Sequence, residues 1–495
     1  RRTSNIGDLM PLILGTNSIK DTGFDVANST RFNSGDSAFM SKASTTVTND
    51  KKFTVSAWCK RSKLSSSAEF GIFKTISDSN NQNKNIQFGF YNDSIYFAFV
   101  DGGSVTVNKV STAVFRDSSA WYHVMLAVDS TQGTAANRNR IYVNGTEITL
   151  FGTDTNAGAD ETFLSTSCNI DVGRYTGTSG THRYFDGYLA EVVFIDGLQL
   201  APTDFGEFDS DSPTIWKPKN PSSLTFGNNG FYLDFKDSSN LGNDANGGTD
   251  FTVNNLTSID QTTDTCTNNF CTLMSNHPSA SNFTLSEGNL VASKSGAATV
   301  GLYGSSIMLT KGKWYYESKI TDLGSGDRSR MGVAAYESVT GTSTIQGSFS
   351  GFEFTGDTSG RFSITVNGST TEIDGFHSYA QDDIIMWGID MDNSKLYIGK
   401  NGDWFNYSSA NTGGDPTSGN GWVTNNATAL ASPLTVGYVG HSAGVSDSTE
   451  VNINFGNPPY AISSGNADGN GYGNFEYAVP SGYYSICTKN LAEFG

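Results

Sequence analysis

The sequence predicts an all-β chain: two antiparallel β-sandwiches, or jelly rolls, joined by an irregular connector. Three observations lead there. Glycine supplies 55 of the 495 residues, roughly 11% against an ordinary ~7%, and aromatic residues reach 12%, a blend suited to pleated, half-buried surfaces broken by tight turns. Charged residues stop at 16%, below the usual ~25%, so the Glu-, Lys- and Arg-rich outer faces of helices are missing. From Asn28 onward short apolar and polar runs alternate, with Gly, Asn, Asp and Ser breaks about every eight to twelve residues, the rhythm of a sandwich.

Residues 1–27 precede this pattern and are expected to form a leading arm that orders only against a partner. In FTVSAWC (53–59), period-two alternation puts Phe53, Val55, Ala57 and Cys59 on one face and Trp58 on the other. WYHVMLAVD (121–129) is apolar enough to lie between two layers. RIYVNGTEIT (140–149) carries Asn144-Gly145, a two-residue hairpin signal because both positions tolerate positive φ. FDGYLAEVVFI (185–195) closes the set. In order, "VSAWCKRS", "WYHVMLAVD", "IYVNG" and "FDGYLAEVVFIDGLQL" resemble the laminin G-like, concanavalin A-like lectin fold, so a domain is expected over 28–210.

Residues 211–275 change texture. DSPTIWKPKNP (211–221) holds three of the eleven prolines and is expected to run extended as a semi-rigid linker. The following "GFYLDFKD" and "SSNLGNDANGGTDFTVNNLTSIDQTTDT" resemble a connector that joins lectin-like modules in structural proteins of marine phages. Beyond it, "GKWYYESKI", "RMGVA", "DIIMWGIDMDNSKLYIGKNGDWF", "PLTVGYVG" and "VNINFGNPPYA" resemble a SPRY domain, also a concanavalin A-like sandwich, expected over 276–495. The terminal "PSGYYSICTKNLAEFG" resembles the end of the same phage proteins. These resemblances imply a virion surface protein, a tail or capsid fibre or a head decoration, whose partners are other virion proteins and host surface glycans. A fibre role implies a homo-oligomer, with a trimer as the expectation. The alternatives are a secreted carbohydrate-binding or glycan-degrading protein and a ligand-free cement protein.

Composition removes other classes. The net charge of −18 repels phosphate backbones, and no Lys/Arg cluster offsets it, so nucleic acid is not an expected partner. No run of about 18 apolar residues supports membrane insertion by a helix. Five cysteines, Cys59, Cys168, Cys266, Cys271 and Cys487, do not make a disulfide framework; Cys266 and Cys271 are read as free buried thiols, with a local disulfide the alternative. The histidines are scattered, and His123, inside a strand pattern, reads as a satisfied core residue.

The chain is not expected to be an enzyme. A glucanase on this fold needs paired carboxylates on one strand face. The nearest run, Glu372-Ile-Asp-Gly-Phe-His377, has His377 where the last carboxylate belongs and reads as a hairpin. No cofactor is expected, with Ca²⁺ left open through Asp171, Asp186 or Asp196, and through Asp468 in NADGNG (466–471), a half-match to an oxygen-ligand loop that has Tyr477 at its twelfth position. For carbohydrate, Trp404, Tyr407 and Trp422 are the candidates, because they sit in a Gly/Asn-rich stretch after the Asn401-Gly402 turn. The competing reading is that they plug the end of the sandwich. Trp58, Trp121, Trp314 and Trp387 lie in strand patterns and are assigned to the core.

Overall fold

The computed structural model describes residues 23–65, 67–77, 83–177, 180–296, 300–302, 304–323, 329–335, 351–355, 361–366, 369–373, 380–406, 413–441 and 448–495. It is 46% strand and 6% helix, and its contacts divide at residue 268 into two compact units.

The first unit is a sandwich of two antiparallel sheets. Its back sheet runs Thr146–Glu147, Asn139–Val143, Trp121–Asp129, Lys52–Arg61, Gly187–Asp196, Ser29–Phe32 and Gln261–Thr262, with Phe231–Leu233 also paired to Gly187–Asp196. Its front sheet runs Phe151–Thr155, Ser104–Val114, Ser94–Asp101, Asn85–Tyr91, Glu69–Ile76, Asn169–Val172, Phe39–Ala43 and Thr252–Asn254. Alternation fills the space between them: Phe53, Val55, Ala57 and Cys59 meet Phe70, Phe73, Phe88, Phe97 and Phe99 in one core, as the reading of 53–59 expects. Asn144 and Gly145 both take positive φ at their hairpin, 48° and 74°, the geometry that such a turn requires.

The segment expected to be an extended connector is built into this sandwich. Leu233 pairs with Val192, Thr252 with Ser41 and Thr262 with Ser29. Trp216 of the Pro-rich run is buried with Trp58, Ala190 and Val26. The Asp264 carboxylate meets the Lys60 ammonium at 2.8 Å, both side chains at most 1% exposed, and also accepts from the Trp121 indole at 3.1 Å. Strands of two or three residues show no alternation, and an ionic partner 204 residues away leaves no local signal. The expected arm lies outside the described residues up to 22; from there, Phe24 and Val26 pack beside Trp58 and Trp216.

The second unit repeats the architecture. One sheet runs Thr284–Ser286, Val291–Ser295, Ser448–Asn454, Lys313–Asp322, Ile384–Asp390, Lys395–Lys400 and Asp403–Trp404; the other runs Val300–Leu302, Leu434–His441, Ser329–Ala335, Gly351–Thr355, Arg361–Val366 and Ser369–Ile373. Trp314, Tyr316, Trp387, Ile389, Ile398 and Val436 share its core, where Tyr316 and Trp387 stack at 5.6 Å and 2°. Trp58, Trp314 and Trp387 are buried as assigned, whereas Trp121 is half-buried. All five cysteines are free thiols, with Cys266 only half-buried.

Candidate functional site

The residues singled out for chemistry scatter. Asp171 Oδ2 lies between two cations, 2.8 Å from Lys74 and 2.7 Å from Arg174 Nε, so a metal ion there would face like charges. Asp186 Oδ2 accepts from the backbone N–H and hydroxyl of Ser34 at 3.1 and 2.6 Å, and Asp196 accepts from Thr48 and Asn229. Asp468 takes five donors, from Asn470 N, Tyr472 N, Ser485 N, Ser485 Oγ and Asn490 Nδ2, at 2.7–3.0 Å. That carboxylate ties the C-terminal segment together, with protein donors on both of its oxygens. No group of three or more His, Cys, Asp and Glu converges among the described residues.

Trp404 and Trp422 are half-buried and pack against Tyr315, Met386, Tyr397, Phe475 and Tyr483. The Trp404 indole lies over Gly388, whose missing Cβ would sit 3.4 Å from it, and meets the Tyr315 ring edge-on at 6.2 Å. Tyr407 lies outside the described residues, as do Asp374 and His377; Glu372 falls on the strand Ser369–Ile373. His123 is fully buried: Trp216 Nε1 donates to its Nδ1 at 3.2 Å, so its other nitrogen donates to Ser56 Oγ at 2.8 Å. Burial pushes its pKa down to about 3. With its proton on the serine side, the imidazole cannot activate Ser56 as a base would.

A more coherent constellation lies on the outer face of the front sheet of the first unit. Phe90, Ile95, Phe97, Phe73, Val107 and Ile170 point into the core, so Tyr91, Tyr96, Lys74, Asn108 and Asp171, at alternate positions, point away. The strand Asn169–Val172 leaves the sheet at Gly173, φ 84°, and returns as the hairpin Arg174–Thr176/His182–Tyr184 laid on that face. Gly71 admits it: a Cβ there would meet Tyr175 N at 2.1 Å.

Hydrogen bonds fix the hairpin. Thr176 O accepts from Asn85 Nδ2 and Gln87 Nε2, both at 3.0 Å. Thr176 Oγ1 meets Lys74 Nζ at 3.1 Å and His182 Nδ1 at 2.9 Å. Glu69 Oε2 accepts from Tyr175 OH at 2.8 Å and Arg183 Nε at 3.1 Å. Burial lowers the Lys74 pKa against the opposing pull of Asp171, and burial, then Arg174 and Lys74, lowers that of His182.

Beside the hairpin Tyr91 is exposed and Tyr96 half-buried. The rings of Tyr91, Tyr96 and Tyr175 run in a row with centroids 5.7 Å apart at each step. Tyr91 is 38% exposed and Tyr175 fully buried, so the row grades from solvent into the fold. Tyr96 OH donates to Gln87 Oε1 at 3.2 Å. Across the adjoining strand, Val110 pairs with Tyr96 and Asn108 with Ala98. Asn108 Oδ1, Thr106 Oγ1 and Asp171 Oδ1 are buried from solvent and have no hydrogen-bond partner among the described residues. The exposed ring face of Tyr91 matches the apolar face of a sugar. A groove of about 270 Å³ between Ser34, Ser67, Glu69, His182 and Tyr184 continues the surface on the hairpin's far side.

Sequence reasoning missed this face because Tyr91 and Tyr96 sit in regular alternation. The available signal was aromatic rings at the outward positions of strands whose inward set is rich in Phe.

Residues 33–199, which contain every residue of this face named above, match the concanavalin A-like lectin/glucanases superfamily in its laminin G-like branch. No curated protein matches the sequence. Solved structures similar to parts of the chain include the SPRY domain of human HERC1, at 14% identity over 34% of this chain and 91% of that one, with a TM-score of 0.26. The native heptameric SAP-like pentraxin from Limulus polyphemus is 17% identical over 36% of this chain and 80% of that one, TM-score 0.27. Domains LG4-5 of the mouse laminin alpha1 chain are 9% identical over 91% of this chain and 92% of that one, TM-score 0.29.

Proposed function

We propose that the chain is a non-catalytic recognition protein that binds a glycan on the outer face of the front sheet of its first sandwich. The observation that carries this is the row Tyr91, Tyr96 and Tyr175, whose outer ring is exposed. The exposed ring of Tyr91 stacks on a sugar face, with Tyr96 and Tyr175 supporting it from below, and the hairpin carrying Arg174 and Arg183 forms the wall. The match of residues 33–199 to a lectin/glucanase superfamily supports the same reading.

We further propose that the protein works on the surface of a phage particle, as a fibre or decoration, in contact with other virion proteins; the sequence resemblances of 230–265 and of the C-terminal run support this. Repeated copies on one particle would turn weak sugar contacts into avidity. A glycan array probed with the purified chain and with Tyr91→Ala tests the binding: wild type retains a defined set of sugars and the variant loses them. Release of reducing ends from a retained glycan would instead establish a hydrolase.

A further inference from the structure

The expected connector also brings a lysine and a carboxylate together in unusual surroundings. Lys42 follows Met40 on the core-facing side of the strand Phe39–Ala43, and its ammonium lies 4.9 Å from the ring centre of Phe231 and 4.8 Å from that of Phe251. Between those rings it meets Asp244 Oδ2 at 3.4 Å, with the two side chains 7% and 0% exposed. Its other hydrogen bond, to Thr249 O at 3.3 Å, holds the amine in place. Asp244 Oδ1 accepts from the backbone N–H groups of Tyr232 and Asn246, at 3.0 and 3.1 Å. A second carboxylate, Asp250, accepts from Asp244 N at 3.0 Å, faces solvent and acts on the charge of Lys42. Gly248 completes the enclosure, since a Cβ there would sit 2.4 Å from Asp244 Oδ2.

We propose that Lys42 and Asp244 condense to an intramolecular isopeptide bond that staples residues 231–251 to the first sandwich. The parts have distinct roles. Two N–H donors on Oδ1 stabilise the oxyanion that forms when the amine adds to Asp244 Cγ, as in other acyl transfers. Burial between the two aromatic rings draws the Lys42 pKa down, toward the neutral nucleophile. One ammonium proton passes to Asp244 Oδ2 along the hydrogen bond between them; the neutral amine attacks Cγ; the Cγ–Oδ2 bond breaks; and Oδ2 leaves as water carrying that proton and a second one from nitrogen. An ammonium and a carboxylate become an amide and one water, with no oxidant or external reagent. Held at contact distance by the fold, the pair gains the effective concentration of an intramolecular reaction.

Intact-mass spectrometry of the full chain is the test. The expected mass is one water below that of the sequence, and a peptide map joins the Lys42 peptide to the Asp244 peptide. Lys42→Arg and Asp244→Ala are expected at their full sequence masses. Wild-type protein at its full sequence mass would overturn the proposal and leave an ordinary buried ion pair. So would loss of water mapped to a succinimide at an Asp-Gly step.

Discussion

The two sandwiches bury similar cores but treat their outer faces differently. In the second unit the outer face of the larger sheet, with Tyr315, Met386 and Tyr397, is covered by Phe475 and Tyr483 of the C-terminal segment, with Trp404, Trp422 and Tyr477 packed around them. Glu317 anchors that cover: its carboxylate accepts from Tyr315 OH, Asn454 Nδ2, Glu476 N and Tyr477 N at 2.8–3.2 Å. In the first unit the back sheet is covered in the same manner by Phe205, Phe226 and Tyr232. Its front sheet is covered in part by the short hairpin at Gly71, which leaves Tyr91 exposed and Tyr96 half-buried. Similar aromatic residues are thus a plug on one face and an open surface on another, depending on whether the chain returns over them.

That contrast can be broken at its anchors. The largest effect is expected at Asp264→Ala, which strands the buried Lys60 ammonium; loss of one partner of a buried pair costs about 3–5 kcal/mol, read as a lowered urea midpoint for the first unit. Glu317→Ala comes next. It leaves four donors without an acceptor and should cost about 3 kcal/mol, with the exposed Tyr315/Phe475 face reported by increased dye binding.

A smaller effect comes from His123. Its folded pKa of about 3 lies below the ~6.5 of an unfolded histidine, so the unfolded chain binds the extra proton between those values. Stability present above pH ~6.5 is therefore lost on acidification, at up to ~1.4 kcal/mol per pH unit. Glu191, buried and raised to about 7, acts in the opposite sense. The difference between His123→Asn and wild type, followed by urea unfolding from pH 7 to 5, reads the histidine alone, and wild type should show the steeper acid loss.

The smallest stability change is expected at Tyr91→Ala, within about 0.5 kcal/mol, together with a loss of sugar affinity of about 1 kcal/mol, near five-fold. Trp404→Ala should show the reverse: about 2 kcal/mol of stability lost and unchanged sugar binding.

Much of the fold was legible in sequence because its signals are local. Strands such as FTVSAWC and WYHVMLAVD alternate or run apolar over seven to nine residues, and Asn144-Gly145 and Asn401-Gly402 carry the positive φ values expected of them. Residues 211–275 read as a linker because their order comes from partners far along the chain: Asp264 with Lys60, Leu233 with Val192, Thr252 with Ser41. The site fared worse for a related reason. Trp404, in its Gly/Asn-rich stretch, left sugar contact and a plug both open, because Gly388 and Tyr315, which make its bed, lie on other strands. Tyr96 looked like ordinary strand alternation, and only the register with Asn108 and the hairpin's path over Gly71 show it as a surface.

The central claim, that the half-covered face of the first sandwich binds sugar, is tested most directly by titrating the strongest glycan-array ligand into wild type, Tyr91→Ala/Tyr96→Ala and Trp404→Ala proteins by isothermal calorimetry. The account predicts binding by wild type and Trp404→Ala, and at least a tenfold loss in the double tyrosine variant while its circular dichroism spectrum is retained. Undiminished binding by the double tyrosine variant, or loss in Trp404→Ala alone, would contradict it.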